Sequence, residues 1–364
     1  MMRFTEWMLN ILNTVFQENC VCILRNEAHV TTIREVSKLA GVSQATVSRV
    51  INGTNRVSHD KKLNVEKAIS QLGYQSRSPM HASNSTRAGC VGIVVPELGG
   101  PFYSSILNTI DTQLRRLGYY VLISAGANTE EGQKESLEFL LNHRVDALIL
   151  HTHQLSDDYL IDLQESELPV VVINRFIQEM NTSCINIDNE KGGRLVTEYL
   201  LKMGHENIAF IAGPLEKEDA RARLQGYRNA LGDAGIAYDD TLVAEAAFTE
   251  ESGASAMRKV LKRKIPFTAV FASNDYMALG VREVLVESGY LIPEQVSLVG
   301  FDDIDFARNF TPKLTTINYP IEQMCLEAVQ LIIQKLNKKN CDVNFKLSPS
   351  LRVRNSVKNL NAYR

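Results

Sequence analysis

Between Thr32 and Thr54 the chain reads TIREVSKLAGVSQATVSRVINGT, and the spacing of its apolar residues dictates two short helices joined by a tight turn. Ile33, Val36, Leu39 and Ala40 fall on one helical face that begins after Thr31 and Thr32, both good N-caps. Gly41 ends that helix, because glycine enters the left-handed conformation of a sharp turn without a Cβ clash. Val42 plugs the angle between the helices and Ser43 caps the second, which starts at Gln44. Val47, Val50 and Ile51 face inward. That leaves Gln44, Ala45, Thr46, Ser48, Arg49 and Asn52 on an outer face of donors, acceptors and a methyl-sized contact. A helical hairpin inside a larger fold could carry the same stripes, so spacing alone does not decide between a reading head and a structural element.

Charge favours the reading head. From Thr31 to Arg87 there are nine basic and three acidic residues, in a chain of 364 residues whose formal net charge is −3. Affinity for a polyanion is thus confined to one end. A chain this long exceeds one ordinary core, so a larger part must follow. Hydrophobic content of 45% and charged content of 22% suit a soluble, cytoplasmic globular protein, and no apolar run approaches a membrane span.

Cys20, Cys22, Cys90, Cys184, Cys325 and Cys341 are scattered, and the closest pair fits neither a CxxC redox motif nor a zinc half-site; reduced, mostly buried thiols are expected. There is no HExxH, P-loop or nucleophile elbow. His151 and His153 at a strand end read as surface or pocket polar residues rather than a metal pair, so neither a metal nor a cofactor is expected.

From Gly89 the pattern becomes repeated strand-then-helix units, the mark of a parallel sheet wrapped by helices on both faces. Strands are expected at 90–95, 119–125, 147–150 and 170–173, then in a second set at 208–212, 243–247, 269–272 and 296–299, with helices between. Open parallel sheets bind ligands outside the carboxyl ends of their strands, so two such halves face to face would enclose a cleft. The loops there are polar: Pro96 to Tyr103, Asn174-Arg175, Ala220 to Arg223, Ser273 to Asp275, and Gly300 to Asp303. Each has a plainer alternative. Asn274 could simply cap the next helix, Arg223 could pair with a neighbouring carboxylate rather than clamp hydroxyls, and Phe102, Tyr103 and Phe248 could be core rather than a platform for a sugar ring.

The phrase GVSQATVSRVINGTNRVSHDKKLNVEKAISQLGY resembles the three-helix headpiece of the lac and galactose repressor family of bacterial transcription regulators, with Val57 and Ser58 opening a third helix over Asp60 to Leu72. The resemblance runs from Thr31 to about Ser356. It implies an all-α helix-turn-helix headpiece followed by an α/β core of the periplasmic-binding-protein type, built from two doubly wound parallel-sheet subdomains. The implied layout is an extension at 1–30, the DNA-binding domain at 31–75, a hinge at 76–88, the sugar-sensing core at 89–356 and a tail at 357–364. The first subdomain would take about 89–188 plus 315–340 and the second about 189–314 plus 341–356, with crossings near Asp188, near Phe301 to Leu314, and after the helix Glu322 to Lys335.

By motif, the resemblance implies base-edge readers at Gln44, Ala45 and Arg49, and phosphate or positioning contacts at Thr32, Thr46, Ser48, Asn52, Val57 and Ser58. It implies effector contacts at Phe102, Asn174, Arg223, Phe248, Asn274 and Asp302, with Tyr103 and Asp275 beside them. An aspartate, an asparagine, an arginine and an aromatic platform suit a hexose or glycoside better than a purine. The segments PFY, NR, ASND and GFDDI are most similar to the galactose and aryl-β-glucoside repressors. The implied protein is a homodimer on a pseudo-palindromic operator, repressing a carbohydrate-utilisation operon, with no catalytic residues. The alternative is a sugar receptor or glycoside-processing protein; Asp275 and Asp302 are the carboxylates such chemistry would need.

Two departures from the family pattern stand out. Gln75 to Asn84 lacks the Ala-Arg-x-Leu hinge whose leucine wedges into the minor groove, and Pro79 would break a helix already running, so weaker DNA bending is expected. Met1 to Val30 has no export-signal core and is expected to be an extension or an artefact of start assignment, with translation beginning at Val30. The residues from Val357 onward carry no leucine heptads, which favours a dimer over a coiled-coil tetramer.

Overall fold

The structure, a computed structural model, describes residues 33–51, 57–72, 88–166, 168–338 and 346–363. The expectations for Thr32, Asn52, the hinge and residues 1–30 lie outside these. The chain forms two units, 1–86 and 87–364.

The first unit contains α1 (Ile33–Ala40), α2 (Gln44–Ile51) and α3 (His59–Leu72). Val36, Ala40, Val47, Val65 and Ala68 form its small core, with Val42, Val50, Ile69 and Leu72 packed around them. The turn is as expected: Gly41 has φ +64°, and the Ser43 hydroxyl accepts from the Thr46 amide at 3.2 Å. Leu39 corrects the expected apolar face. It is 50% exposed, because the stripe that meets α2 and α3 narrows to Val36 and Ala40.

The second unit holds two sheets of one design. The first has the order β11-β5-β4-β3-β1-β2, from β1 (Cys90–Val95), β2 (Tyr120–Ala125), β3 (Ala147–Leu150), β4 (Val170–Ile173), β5 (Cys184–Ile187) and β11 (Lys346–Leu347). The second has the order β12-β10-β9-β8-β6-β7, from β6 (Ile208–Ala212), β7 (Val243–Glu245), β8 (Ala269–Ala272), β9 (Ser297–Asp302), β10 (Thr315–Asn318) and β12 (Ser350–Arg352). All pairings are parallel except β10 with β12. The central strands are continuous apolar runs buried on both faces, as β3, β4, β6 and β8 are throughout.

Helices α4 (Gly100–Arg116), α5 (Glu130–Asn142) and α6 (Asp157–Glu165) connect strands of the first sheet; α7 (Asn189–Lys202) leads from β5 to β6, and α8 (Glu218–Asp233), α9 (Glu250–Lys262) and α10 (Asp275–Glu287) connect strands of the second. The pairs α7–α8 and α9–α10 approach closely through glycines. A Cβ on Gly226 would lie 2.0 Å from the Glu190 carbonyl oxygen, and one on Gly280 would lie 2.0 Å from that of Glu250. After the short α11 (Phe306–Asn309) and β10, α12 (Ile321–Leu336) packs on α4 and on β3, β4 and β5.

The crossings differ from the expected boundaries. Thr315–Asn318 belongs to the second sheet, pairing Thr315 with Val299 and Asn318 with Asp302, so the chain crosses back at Tyr319-Pro320 rather than near Phe301 to Leu314. Lys346–Leu347 then joins the first sheet beside β5, and the last crossing is at Ser348-Pro349. β9 also runs on through Gly300 to Asp302, where a loop was expected, because β10 supplies its outer hydrogen-bonding edge. Among the described residues, no helix is long and apolar enough to cross a membrane.

Candidate functional site

The carboxyl ends of both sets of strands open into one cavity of about 170 Å³. From the first half come Glu97, Phe102, Tyr103, His151, His153 and Asn174; from the second, Lys217, Asp219, Arg223, Phe248, Asn274 and Asp302. Seven of the eight sequence-predicted effector residues therefore meet. The eighth, Asp275, does not. Its buried carboxylate accepts hydrogen bonds from Thr316 Oγ1 at 2.7 Å and from the Ile304 amide at 3.1 Å, fastening the loop after β9. Burial and the neighbouring Asp302 raise its pKa well above the usual carboxylate range.

Arg223, in the second turn of α8, is 3% exposed. Its Nε donates to Asn189 Oδ1 at 2.9 Å and its Nη1 to the Ser273 carbonyl. The guanidinium carbon lies 3.9 Å from the centre of the Phe301 ring and 5.6 Å from that of Phe248, so the charge is held by aromatic faces. Asp219 and Asp302 stand 3.8 and 3.9 Å away. The two carboxylates respond differently. Burial alone would raise Asp219, but Arg223, His153 and Lys217 outweigh it and its pKa is lowered. In Asp302 burial dominates, with Arg223 opposing and Asp219 adding, and its pKa is pushed up to about 7.

Asn274 caps a helix and also lines the cavity. Its Oδ1 accepts from the Met277 amide at 2.8 Å, capping α10, while its Nδ2 donates to the Phe248 carbonyl at 3.0 Å and the residue lines the cavity. Phe248 has φ +63°, and its ring lies over Gly213, where a Cβ would come within 2.2 Å of it. Phe102 and Tyr103 stand edge to face at 5.3 Å and both pack on His151. Burial, then His153, lower the His151 pKa to about 3, and burial lowers His153 also. Both are pocket residues, and among the described residues no cluster could hold a metal ion. Asn189, Lys217 and Asp219 were not foreseen as site residues, and Phe301 was foreseen only as part of the stretch Gly300 to Asp303. The i,i+4 pair Asp219–Arg223 was the available signal for one of them.

In the first unit Gln44, Arg49 and Ser58 are exposed, and Thr46 and Val57 are half-buried. Thr46 Oγ1 is 2.9 Å from Ser43 Oγ, which places it in the cap. The side chains of Ala45 and Ser48 lie outside what is described.

Comparison with known proteins matches this geometry at both ends of the chain. Residues 32–76 match the model of bacterial regulatory proteins of the lacI family, and residues 88–354 that of periplasmic binding proteins and the sugar binding domain of the LacI family. The chain is 35% identical over 329 residues to the HTH-type transcriptional regulator GalR of Escherichia coli (strain K12), covering 90% of this chain and 96% of GalR. It is similar to the structure of a transcriptional regulator CelR–cellobiose complex (36% identity, TM-score 0.68, 90% and 99% of the two chains). It is similar also to the lac repressor dimer bound to operator and the anti-inducer ONPF (29%, 0.78, 90% and 99%). GalR and CelR match at nearly equal identity, so the expected nearness to galactose and aryl-β-glucoside repressors is not singled out. With a helix-turn-helix unit and a two-sheet cleft matched over nearly all of its described length, the chain belongs to the lacI family of bacterial transcription regulators and is a regulatory protein, not an enzyme.

Proposed function

We propose that the protein is a cytoplasmic homodimer that represses a carbohydrate-utilisation operon by binding a pseudo-palindromic operator, and that a neutral hexose or β-glucoside in the cleft releases it. The observation that carries this reading is the pairing inside the cavity. Arg223 sits between Asp219 and Asp302 on the Phe301 ring, so its charge is already balanced and its remaining capacity suits hydroxyl groups better than an anion. Phe102, Tyr103 and Phe248 add apolar faces for a sugar ring. The CelR relative was solved with cellobiose, and GalR and the aryl-β-glucoside repressors are the resemblances from which a galactose-like or β-glucoside ligand is inferred. Gln44, Ala45 and Arg49 would read base edges, with Thr32, Thr46, Ser48, Asn52, Val57 and Ser58 positioning the helix on the backbone. A ligand shifts the protein between states only by binding one of them better, and closure of the two halves is the available two-state element.

Gel retardation on the DNA upstream of the protein's own gene, titrated with D-galactose, D-glucose, methyl β-D-glucoside and cellobiose, tests operator, ligand and direction together. One of these sugars is expected to release the shifted band at micromolar to millimolar concentration. A band unmoved by all four would overturn the sugar reading.

A further inference from the structure

At the end of β9 two consecutive residues that are not glycine are left-handed: Asp302 has φ +116° and Asp303 has φ +57°. Residues with a Cβ rarely adopt such conformations, and a pair of them persists only where the surrounding structure holds it. Asp302 lines the cavity, 3.9 Å from Arg223 Nη1. The direction of its carboxylate therefore depends on what holds the turn that follows it.

Asp303 turns away from the cavity. Its side chain is 2% exposed, and its carboxylate accepts from Arg354 Nη2 at 2.5 Å and from Asn318 Nδ2 at 3.3 Å. Asn318 ends β10, whose ladder with β9 already fixes the main chain of Asp302. Arg354 comes from outside the cleft: it follows β12 and is not among the residues lining the cavity. Its own amide donates to Thr315 Oγ1 at 2.9 Å and its Nη1 to the Leu314 carbonyl at 2.8 Å. Beyond it the Asn355 amide donates to the Lys313 carbonyl at 2.9 Å, and Ser356 Oγ accepts from the Thr315 amide at 2.8 Å. One prong of the planar guanidinium is thus seated on the backbone and the other on Asp303, a two-point grip that the point charge of a lysine cannot make.

We propose that Arg354 is a positioning residue of the effector cavity: acting through Asp303, it holds the left-handed pair that aims the Asp302 carboxylate at Arg223, and so sets effector affinity without touching the effector. The inference rests on the reading of the cavity as the effector site. It ties the segment after the last strand to the response of the cleft. An arginine that served only to fasten β12 would act through Leu314, and no change at Asp303 could then compensate for its loss.

The test pairs a break with a repair. Arg354→Met keeps an unbranched side chain and removes both prongs. Adding Asp303→Gly removes the carboxylate left unpaired and supplies a residue that adopts φ +57° freely, while Asp275 and β10 still hold the turn from its other sides. In calorimetric titration with whichever of D-galactose, D-glucose, methyl β-D-glucoside or cellobiose binds wild type, Arg354→Met is expected to lose about tenfold or more in affinity, and the double variant to return to within about threefold. Both are expected to bind operator as wild type does in gel retardation. Arg354→Lys, which keeps a charge beside Asp303 and gives up the grip on Leu314, is expected to fall between them. A crystal structure of ligand-free Arg354→Met is expected to show Asp303 at negative φ and the Asp302 carboxylate turned from Arg223. Wild-type affinity in Arg354→Met, a double variant as weak as the single one, or an unchanged turn in the crystal overturns the positioning role. If Arg354→Met does not melt cooperatively, the lysine and double variants carry the comparison; should they fail to fold as well, Arg354 serves the fold alone and the proposal falls. Failure of all four sugars to bind wild type removes the sugar reading, and the turn seen in the crystal still decides whether Arg354 positions Asp302.

Discussion

The guanidinium of Arg223 lies 3.9 Å from the centre of the Phe301 ring, and that contact explains how a charge only 3% exposed can sit in the wall of a cleft. Arg223 belongs to α8 and Phe301 to β9, so the ring fixes the helix against the sheet while its face supports the cation. Phe301 in turn depends on Gly192 of α7, where a Cβ would come within 2.6 Å of the ring.

Removing the cation should separate sensing from DNA binding. Arg223→Ala leaves Asp219 and Asp302 buried without their shared partner, a change that costs about 3–5 kcal/mol in comparable buried pairs. Arg223→Lys keeps a charge but loses the planar fork and the bond to Asn189. Gel retardation at 20 °C should find both variants bound to operator and neither released by sugar. Release of the lysine variant at the wild-type sugar concentration would refute the role assigned to the guanidinium.

Asp302 should write its burial into the pH dependence of stability. Its folded pKa is about 7 against a reference of 3.8, so the folded state holds the proton more tightly and stability falls as pH rises from about 4 to 7, then levels off. Asp302→Asn removes this linkage. The melting temperature of the variant minus that of wild type should therefore climb between pH 4 and 7 and stay flat above. His151, held neutral with a pKa of about 3 against 6.5, stabilises fully above 6.5 and loses that contribution as pH falls; present in both proteins, it cancels in the difference. A flat difference across pH 4–7 would show that Asp302 is not buried as described.

Close helix pairing makes two glycines intolerant of one added carbon. Gly226→Ala and Gly280→Ala each place a Cβ about 2 Å from a backbone oxygen of the facing helix, and overpacking of this kind costs roughly 1–3 kcal/mol. Gly213→Ala acts on the site instead, pushing the Phe248 ring from its seat. Chemical denaturation should reveal the loss in the first two, while calorimetry on Gly213→Ala should show weakened sugar binding. Wild-type values in all three would mean that these helices and the Phe248 ring have room the structure does not give them.

In the headpiece, Ser43→Ala deletes the hydroxyl that accepts from the Thr46 amide, worth about 1 kcal/mol of cap. Because the cap holds α2 rather than touching bases, operator and random DNA should lose affinity alike. Gln44→Ala combined with Arg49→Ala should instead reduce the ratio of specific to random binding, by tenfold or more if each removes a base contact of about 1–3 kcal/mol. Competition binding at fixed salt distinguishes the two, and an unchanged ratio in the double variant would show that α2 does not read sequence.

The sequence by itself determined the elements and most of the site. Turn chemistry and apolar spacing are local, so Gly41, Ser43 and the runs at 90–95 or 208–212 announced their structures without reference to the rest of the chain. Strand ends of parallel sheets converge by topology, which located the cleft, while the family resemblance named Phe102, Asn174, Arg223, Phe248, Asn274 and Asp302 within it before any distance was known. Only the tertiary structure decided which half took each crossing strand, because Thr315–Asn318 and Lys346–Leu347 are short and edge pairing is a contact between residues far apart in the chain. It also decided that two aspartates, each near the start of its helix, diverge. Asp275 turns inward to Thr316 and the Ile304 amide, while Asp219, one helical turn before Arg223, turns into the cavity. The direction of a side chain is set by what packs around it, and packing is the one thing a linear pattern does not contain.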